Sequence, residues 1–233
     1  MSQDPISLAR ECLLITNFFE VDALRIFSRD NLPPILVTSR LTLREVGIKD
    51  VSEDLLRWLN DPQITQYLEI RHVPQTRERV YDYVRSRLMM PENPHFGVYD
   101  KGGERLIGTT TVNMYNKMHK TADISFVIGH SEAGGRGYAT EAVHAVCAYL
   151  FHVTGLEKVT GGLYKENIGS RRVFEKNAFT LEGERRSQYV SMNGNRTDAL
   201  MYGLLAVEFV PNFTLLGGER IEISPFAVSS CNA

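Results

Sequence analysis

Cysteine is scarce in this 233-residue chain, and the three present, Cys12, Cys147 and Cys231, are odd in number and far apart. Neither a disulfide framework nor a CxxC metal knuckle can be drawn from them, so a reducing compartment, the cytoplasm, fits best and no metal site is expected. Long apolar runs are also missing, the longest falling far short of the roughly 20 residues that a membrane-spanning helix needs. The opening stretch MSQDPISLARECLLITNFF carries an acidic residue where an export signal would be basic, so neither export nor a membrane anchor is expected. Charge excess is absent too: 26 Lys plus Arg against 28 Asp plus Glu leave a net charge of -2. Nothing in that balance pulls the chain toward nucleic acid or an anionic membrane, and an anionic ligand has to be held by local groups.

What is there is an ordinary globular composition, 43% hydrophobic and 23% charged, at a length that suits one catalytic domain with extensions. Residues 1–35 read as an amino-terminal helical extension, because Leu8, Cys12, Leu13, Ile15, Phe18, Phe19, Leu24 and Ile26 recur with roughly helical spacing before Pro33 and Pro34 close the segment. Leu36, Val37, Leu41, Leu43 and Val46 suggest a strand. Asp50 then caps a helix in DLLRWLN that carries the only tryptophan, Trp58. QTRERVYDYVRSRLMM makes a second helix with Val80, Tyr83, Val84, Leu88 and Met89 on one face. Three strands, His95 to Tyr99, Arg105 to Asn113 and Ala122 to Ile128, form an antiparallel meander across turn-rich connections. A long helix follows from Arg136 to Val153, then a strand from Lys158 to Tyr164, a helix from Asn167 to Lys176, and two strand-like runs ending near Val207. This order is a mixed α/β layer and not a regular βαβ repeat. The tail, residues 208–233, fits either an extra strand pair or a partner-binding arm.

In IGHSEAGGRGYATEAV a strand ends at Ile128, a short loop brings Gly134, Gly135 and Gly137, and the long helix starts at once. Glycines let several N–H groups approach a ligand, and the helix start adds about half a positive charge, so the geometry suits an anion. Arg136 and the Thr140 hydroxyl can contribute further. A Walker loop is excluded, since no Gly-Lys-Ser/Thr follows. A dinucleotide fingerprint fits poorly: Gly135 and Gly137 are spaced for it, but Thr140 stands at the third small position and Glu157 precedes the next strand instead of ending it. The bland alternative is that a Gly-Gly pair merely turns the chain into a helix.

A second motif follows the strand KVTGGLY, running from Asn167 through Ser170 and Phe174 to Phe179. Together with GGRGYATEAV, about 30 residues upstream, it resembles the GNAT acetyltransferase superfamily from about Thr38 to Leu205. The branch it is most similar to contains ribosomal-protein and amino-sugar acetyltransferases. The resemblance implies an α/β fold with a mostly antiparallel sheet of about seven strands flanked by helices, a GNAT domain over 36–207, and acetyl-CoA as cosubstrate. It implies that Phe126, Val127 and Ile128 present backbone groups to the pantetheine. Gly134, Gly135, Arg136, Gly137, Tyr138, Ala139 and Thr140 would hold the pyrophosphate, and Asn167 and Ser170 would lie beside the cofactor arm. The chain departs from the family pattern in three places. Glu132 stands where Gln or Arg is usual, so phosphate binding is expected to rest on amides and Arg136. Ala178 replaces a glycine, which calls for a negative φ there. Phe174 stands where many relatives carry the tyrosine that protonates the departing thiolate.

Direct acetyl transfer to a primary amine needs a path for the amine proton and a donor for the oxyanion, for which backbone N–H near Val127 and Ile128 is expected. The candidate bases are Glu69, Asp123 and His95, and the candidate hydroxyls are Tyr164 and Ser170. Asp123 reads equally as a solvated strand residue or a partner of Lys120, while Cys147 reads as core. Arg71, His72, Arg185 and Arg186 can meet phosphates or form a solvated face. The acceptor expected first is a small-molecule amine, an amino sugar on a nucleotide carrier, and second a protein α-amine. A homodimer stays open, as does a non-catalytic acyl-CoA sensor with the same fold.

Overall fold

The computed structural model describes residues 25–27, 35–101, 105–129 and 133–211. Most of the expected amino-terminal extension and nearly all of the carboxy-terminal one lie outside the described residues. The end of the expected first helix is a strand, Arg25–Phe27.

One sheet runs β1 (Arg25–Phe27), β2 (Ile35–Val37), β3 (Leu41–Glu45), β4 (His95–Asp100), β5 (Leu106–Asn116), β6 (Thr121–Ile128), β7 (Lys158–Tyr164), β9 (Arg196–Leu205) and β8 (Thr180–Val190). All neighbours are antiparallel except β6 and β7. Nine strands are described where about seven are expected. One addition is β1, and the other arises because 36–46, expected as one strand, folds into the hairpin β2–β3. Thr38 makes that fold-back: its N–H donates to the Leu41 carbonyl at 2.9 Å, and its hydroxyl oxygen accepts from the Leu41 N–H at 2.9 Å. The turn puts Leu36, Leu41 and Leu43 on the core face, each fully buried.

Helix α1 (Glu53–Leu59) is capped by Ser52, whose hydroxyl accepts from the Leu55 N–H, and not by Asp50 as expected. Asp50 instead closes the preceding tight turn, accepting from the Gly47 N–H at 2.8 Å and forming an ion pair with Arg44 at 2.7 Å. Asp61 caps the single turn α2 (Pro62–Thr65) and Thr76 caps α3 (Arg77–Leu88). Of the apolar stripe expected on α3, Val80 and Val84 are buried against Val46, Val51, Leu55 and Trp58, whereas Tyr83, Leu88 and Met89 are exposed. The helix therefore buries a strip one turn long and leaves its carboxy-terminal end in water.

The long helix α4 (Tyr138–His152) crosses the other face between β6 and β7, as a parallel connection requires. Ala142, Val143, Ala145, Val146, Cys147, Ala148 and Leu150 are all buried along it, which places Cys147 in the core as expected. Burial pushes the Cys147 thiol up, so it is a packed apolar group. Helix α5 (Ile168–Lys176) lies beside α4 and inserts Phe174 into the core.

Candidate active site

The glycine segment forms the turn that opens α4, with φ of +73° at Gly135 and +82° at Gly137, a region that favours glycine. Gly137 is the residue preceding the helix, and no side chain caps the N–H groups there. The two glycines leave room beside the backbone: a Cβ at Gly135 would meet nothing within 4 Å, and one at Gly137 would meet only a guanidinium nitrogen of Arg40, at 3.5 Å. Uncapped amides, a helix dipole and bare backbone together fit a phosphate group. Arg136, Tyr138, Ala139 and Thr140 are carried on this same turn and helix start, while Glu132 lies outside the described residues.

Two further residues define this site, and the motif reading missed both. Glu141, in the first turn of α4, is fully buried. Its carboxylate accepts from the Thr38 and Ser39 hydroxyls at 2.6 and 3.0 Å, from the Arg40 N–H at 2.9 Å, and from the Arg40 guanidinium at 2.7 Å. The β2–β3 turn is thereby fastened to the start of α4. A signal was present in the sequence, since Glu141 falls in line with Ala145 and Ala148 on the buried stripe, where a carboxylate has to find partners.

Beside the loop the sheet opens. β6 and β7 pair at three positions only, Thr121 with Lys158, Ala122 with Val159 and Asp123 with Thr160. From there Ile124 to Ile128 pair with β5 alone, and Gly161 to Tyr164 with β9 alone. Phe174 packs at this opening: its ring lies edge-on against Phe126 at 5.6 Å, and a Cβ on Gly161 would stand 2.3 Å from it. The V-shaped opening, a wedge between β6 and β7, leaves the β7-facing edges of Phe126, Val127 and Ile128 without a ladder partner. Asn167 caps α5, its side-chain oxygen accepting from the Ser170 N–H at 3.0 Å, which is a structural role for this pair at the helix start. The expectation for Ala178 is corrected, because its φ is +61°. The αL bend closing α5 is kept with a methyl group in it, at a cost of about 1 kcal/mol.

The opposite face of the sheet carries the polar candidates. Ile124 and Phe126 point into the helical core, so the alternating Asp123 and Ser125 face away from it. Asp123 accepts from the Thr160 hydroxyl at 3.2 Å, and burial pushes its carboxyl up to about 6 despite that bond. Lys120, its alternative partner in the sequence reading, pairs instead with Glu157 at 2.6 Å. Farther along β7 the Tyr164 hydroxyl donates to Glu69 at 2.5 Å and accepts from Arg71 at 2.9 Å. Tyr189 stacks on the Tyr164 ring at 4.1 Å, and burial followed by the Glu69 carboxylate raises the Tyr164 pKa. Glu69, Tyr164 and Asp123 thus share one face, whereas Ser170 stays at the start of α5. His95 is buried with Nδ1 2.7 Å from the Thr111 hydroxyl, and burial together with Arg87 lowers it to about 3. That imidazole is neutral at physiological pH and too weak a base for the role considered.

Arg71 also donates to the Val190 carbonyl at 2.6 Å, and with His72, Leu59, Thr65 and Met192 it lines an open cleft of about 450 Å³. Arg185 and Arg186 are exposed on β8, outside that cleft. Among the described residues no group of His, Cys, Asp and Glu can hold a metal ion, and no helix is long and apolar enough to cross a membrane.

Comparison with known proteins agrees with this geometry. Residues 40–180 match the family model of the acetyltransferase (GNAT) domain. The probable N-acetyltransferase YjcK of Bacillus subtilis (strain 168) is 32% identical over 170 residues, covering 70% of this chain and 92% of that protein. The spermidine N-acetyltransferase of Vibrio cholerae, solved with CoA and spermine, shares the fold with a TM-score of 0.65 at 23% identity, covering 73% of this chain and 98% of that one. RimL, a ribosomal alpha-N-protein acetyltransferase solved with coenzyme A, does so with a TM-score of 0.66 at 18% identity, covering 72% and 96%. With more than half its length matched by the family model and the loop, wedge and second helix in place, the chain belongs to the GNAT family of N-acetyltransferases.

Proposed function

We propose that the protein binds acetyl-CoA in the β6–β7 wedge and acetylates a primary amine presented from the opposite face, the acceptor being an amino sugar on a nucleotide carrier. The wedge carries this reading: two strand edges without ladder partners open directly beside a helix start that has positive-φ glycines and no side-chain cap. Acetyl-CoA supplies the acetyl group as a thioester. Gly134 to Gly137 and the first residues of α4, Tyr138, Ala139 and Thr140, take its pyrophosphate together with Arg136. The backbone of Phe126, Val127 and Ile128 lines the pantetheine and supplies the oxyanion donor. Asn167 and Ser170 lie beside the arm.

On the acceptor face Asp123 serves as base. A carboxyl held at about 6 is ionised at neutral pH, yet it is a better proton acceptor than an ordinary aspartate. Tyr164 remains protonated and is oriented by Glu69, so it takes the proton-donating role that Phe174 cannot fill.

The acceptor class follows from the mixed charge of this face. Asp123 and Glu69 suit an amine, whereas Arg71 and His72 in the adjoining cleft suit an anionic group on the same molecule. An amino sugar on a nucleotide has both; a protein α-amine followed by acidic side chains is the second reading, supported by the fold shared with RimL. A polyamine would bring no anionic group to Arg71, whereas His72 has the Glu69 carboxylate 3.6 Å away in any case. We assign residues 36–207 to the GNAT domain, flanked by extensions, with a cytoplasmic site of action supported by the cysteine usage.

Thiol release from acetyl-CoA, measured against sugar-nucleotide amines, acidic amino-terminal peptides and polyamines beside calorimetric titration of CoA, tests the reading. Release is expected with the nucleotide-linked amine. Release with peptides alone would move the acceptor to proteins, and an absence of CoA binding would overturn the site.

A further inference from the structure

The phosphate loop is not the only source of positive charge at its own surface. Glu141 lies four residues after Gly137, at the same helix start that the cofactor phosphates would approach, and it is fully buried. A carboxylate there competes with an incoming anion for the positive end of the α4 dipole. Arg40 resolves that conflict. Its Nε and Nη2 grip the outer oxygen of Glu141, each at 2.7 Å, while Nη1 reaches the other way and donates to the Arg136 carbonyl at 2.9 Å. The guanidinium carbon lies 4.7 Å from the centre of the Tyr138 ring, and Nη2 is 3.5 Å from where a Gly137 Cβ would be. The other side chains on Glu141, Thr38 and Ser39, carry no charge, and the Arg40 side chain keeps 43% of its surface exposed. A buried carboxylate on one side and an aromatic ring below thus hold a half-exposed cation over the loop.

Resting on the reading of this loop as the acetyl-CoA site, we infer that Arg40 is a phosphate-binding residue of that site, contributed by the β2–β3 turn, and that Glu141 is the positioning residue that aims it. Three of the five guanidinium N–H groups serve Glu141 and Arg136, which leaves two for a phosphate oxygen beside Gly137. The pyrophosphate is then held by amides from beneath and by a fixed cation from the side. That arrangement offsets the unfavourable charge of Glu141 and answers the departure at Glu132, where the sequence lacks the usual donor.

The role is separable from that of a lock between hairpin and helix by removing the phosphates from the ligand. Calorimetry measures the Kd of CoA for the wild type, for Arg40→Gln and for the double variant Arg40→Gln, Glu141→Gln, which leaves no unpaired charge buried. Turnover of acetyl-CoA is compared with that of S-acetylpantetheine, which carries the same thioester arm without phosphates. The inference expects both variants to bind CoA about tenfold or more weakly, with a flatter salt dependence than the wild type. It also expects kcat/KM for S-acetylpantetheine in the double variant within about twofold of the wild type. Wild-type CoA affinity in the double variant would overturn it, as would an equal loss for both acyl donors, which would make Arg40 a lock alone. A wild-type protein that fails to bind CoA would instead sink the site reading on which the inference stands.

Discussion

Two carboxylates, Glu141 fully buried on α4 and Asp123 half-buried on β6, show how differently this fold treats the glycine-loop side and the opposite face of its sheet. Glu141 on α4 has five N–H and O–H groups directed at it, two of them from the Arg40 guanidinium, and no exposed surface. Asp123 on β6 has the Thr160 hydroxyl and a carboxyl pushed up to about 6 by burial. A saturated carboxylate serves as a structural anion, fixing the β2–β3 turn against the phosphate loop. An under-satisfied one keeps its appetite for a proton, which is what a base needs. The same residue chemistry is saturated with donors at the start of α4 and left with a single hydroxyl partner on β6, where the proposed base sits.

The contrast can be broken most severely at Glu141. Glu141→Ala removes the carboxylate that Thr38, Ser39 and Arg40 share and unfastens the β2–β3 turn from α4, and is expected to cost about 3 kcal/mol, read as a shift of the urea midpoint. A loss below half that figure would show that the anion is dispensable. Next in size, Gly137→Glu puts a carboxylate and a strained φ into the phosphate site and should weaken CoA by at least about 100-fold in calorimetry. Unchanged affinity would remove the assignment of the loop. On the acceptor side, Tyr164→Phe is expected to lower kcat about 100-fold while the Kd of CoA stays put, because the ring stacking survives and only the hydroxyl goes. An unchanged kcat would reduce Tyr164 to packing.

Asp123→Asn sharpens the comparison through pH. The folded carboxyl ionises near 6 and the unfolded one near 4, so ionised Asp123 opposes folding above pH 6 and has no such effect below pH 4, where it is protonated in both states. The variant is expected to be more stable than the wild type by about 2 kcal/mol at pH 7 to 8 and equal to it below pH 4, and its kcat/KM should lose the limb that rises through pH 6. A pH-independent stability difference would contradict the buried-base reading. Smallest is Ala178→Gly at the end of α5, where relief of a φ of +61° outweighs the added freedom of the unfolded chain and should stabilise by about 1 kcal/mol in thermal unfolding. Stability unchanged or lowered would mean that the bend carries no strain.

Much of the fold was legible because its strongest elements announce themselves locally. β7 has the bounds that its alternation indicates, and α4 and α5 begin within two residues of their expected starts. The hairpin β2–β3 was not legible as a hairpin, since Thr38-Ser39-Arg40 contains neither the glycine nor the asparagine by which tight turns are recognised, and its geometry comes from a threonine side chain. The cap of α1 was misplaced because Asp50 and Ser52 both qualify, and what separates them is the ion pair of Asp50 with Arg44. The backbone at Ala178 could not be read from its residue type, because alanine rarely adopts a positive φ; the bend is closed by the Phe179 N–H donating to the Phe174 carbonyl at 3.0 Å, with the two rings 4.8 Å apart.

At the site the division follows sequence distance. Glycines before a helix, an asparagine and a serine three apart, and a phenylalanine in place of tyrosine are neighbours along the chain, so the sequence by itself determined the family, the glycine turn into the long helix and the absence of the usual tyrosine. Only the tertiary structure decided which distant residues complete it. Arg40 meets Glu141 across about 100 positions, Tyr164 meets Glu69 across 95, and the wedge opens where a ring from α5 meets Gly161. The physical reason is that a carboxylate's role is set by how many donors surround it and how much water remains, and both are fixed only when strands and helices from the whole chain close around it.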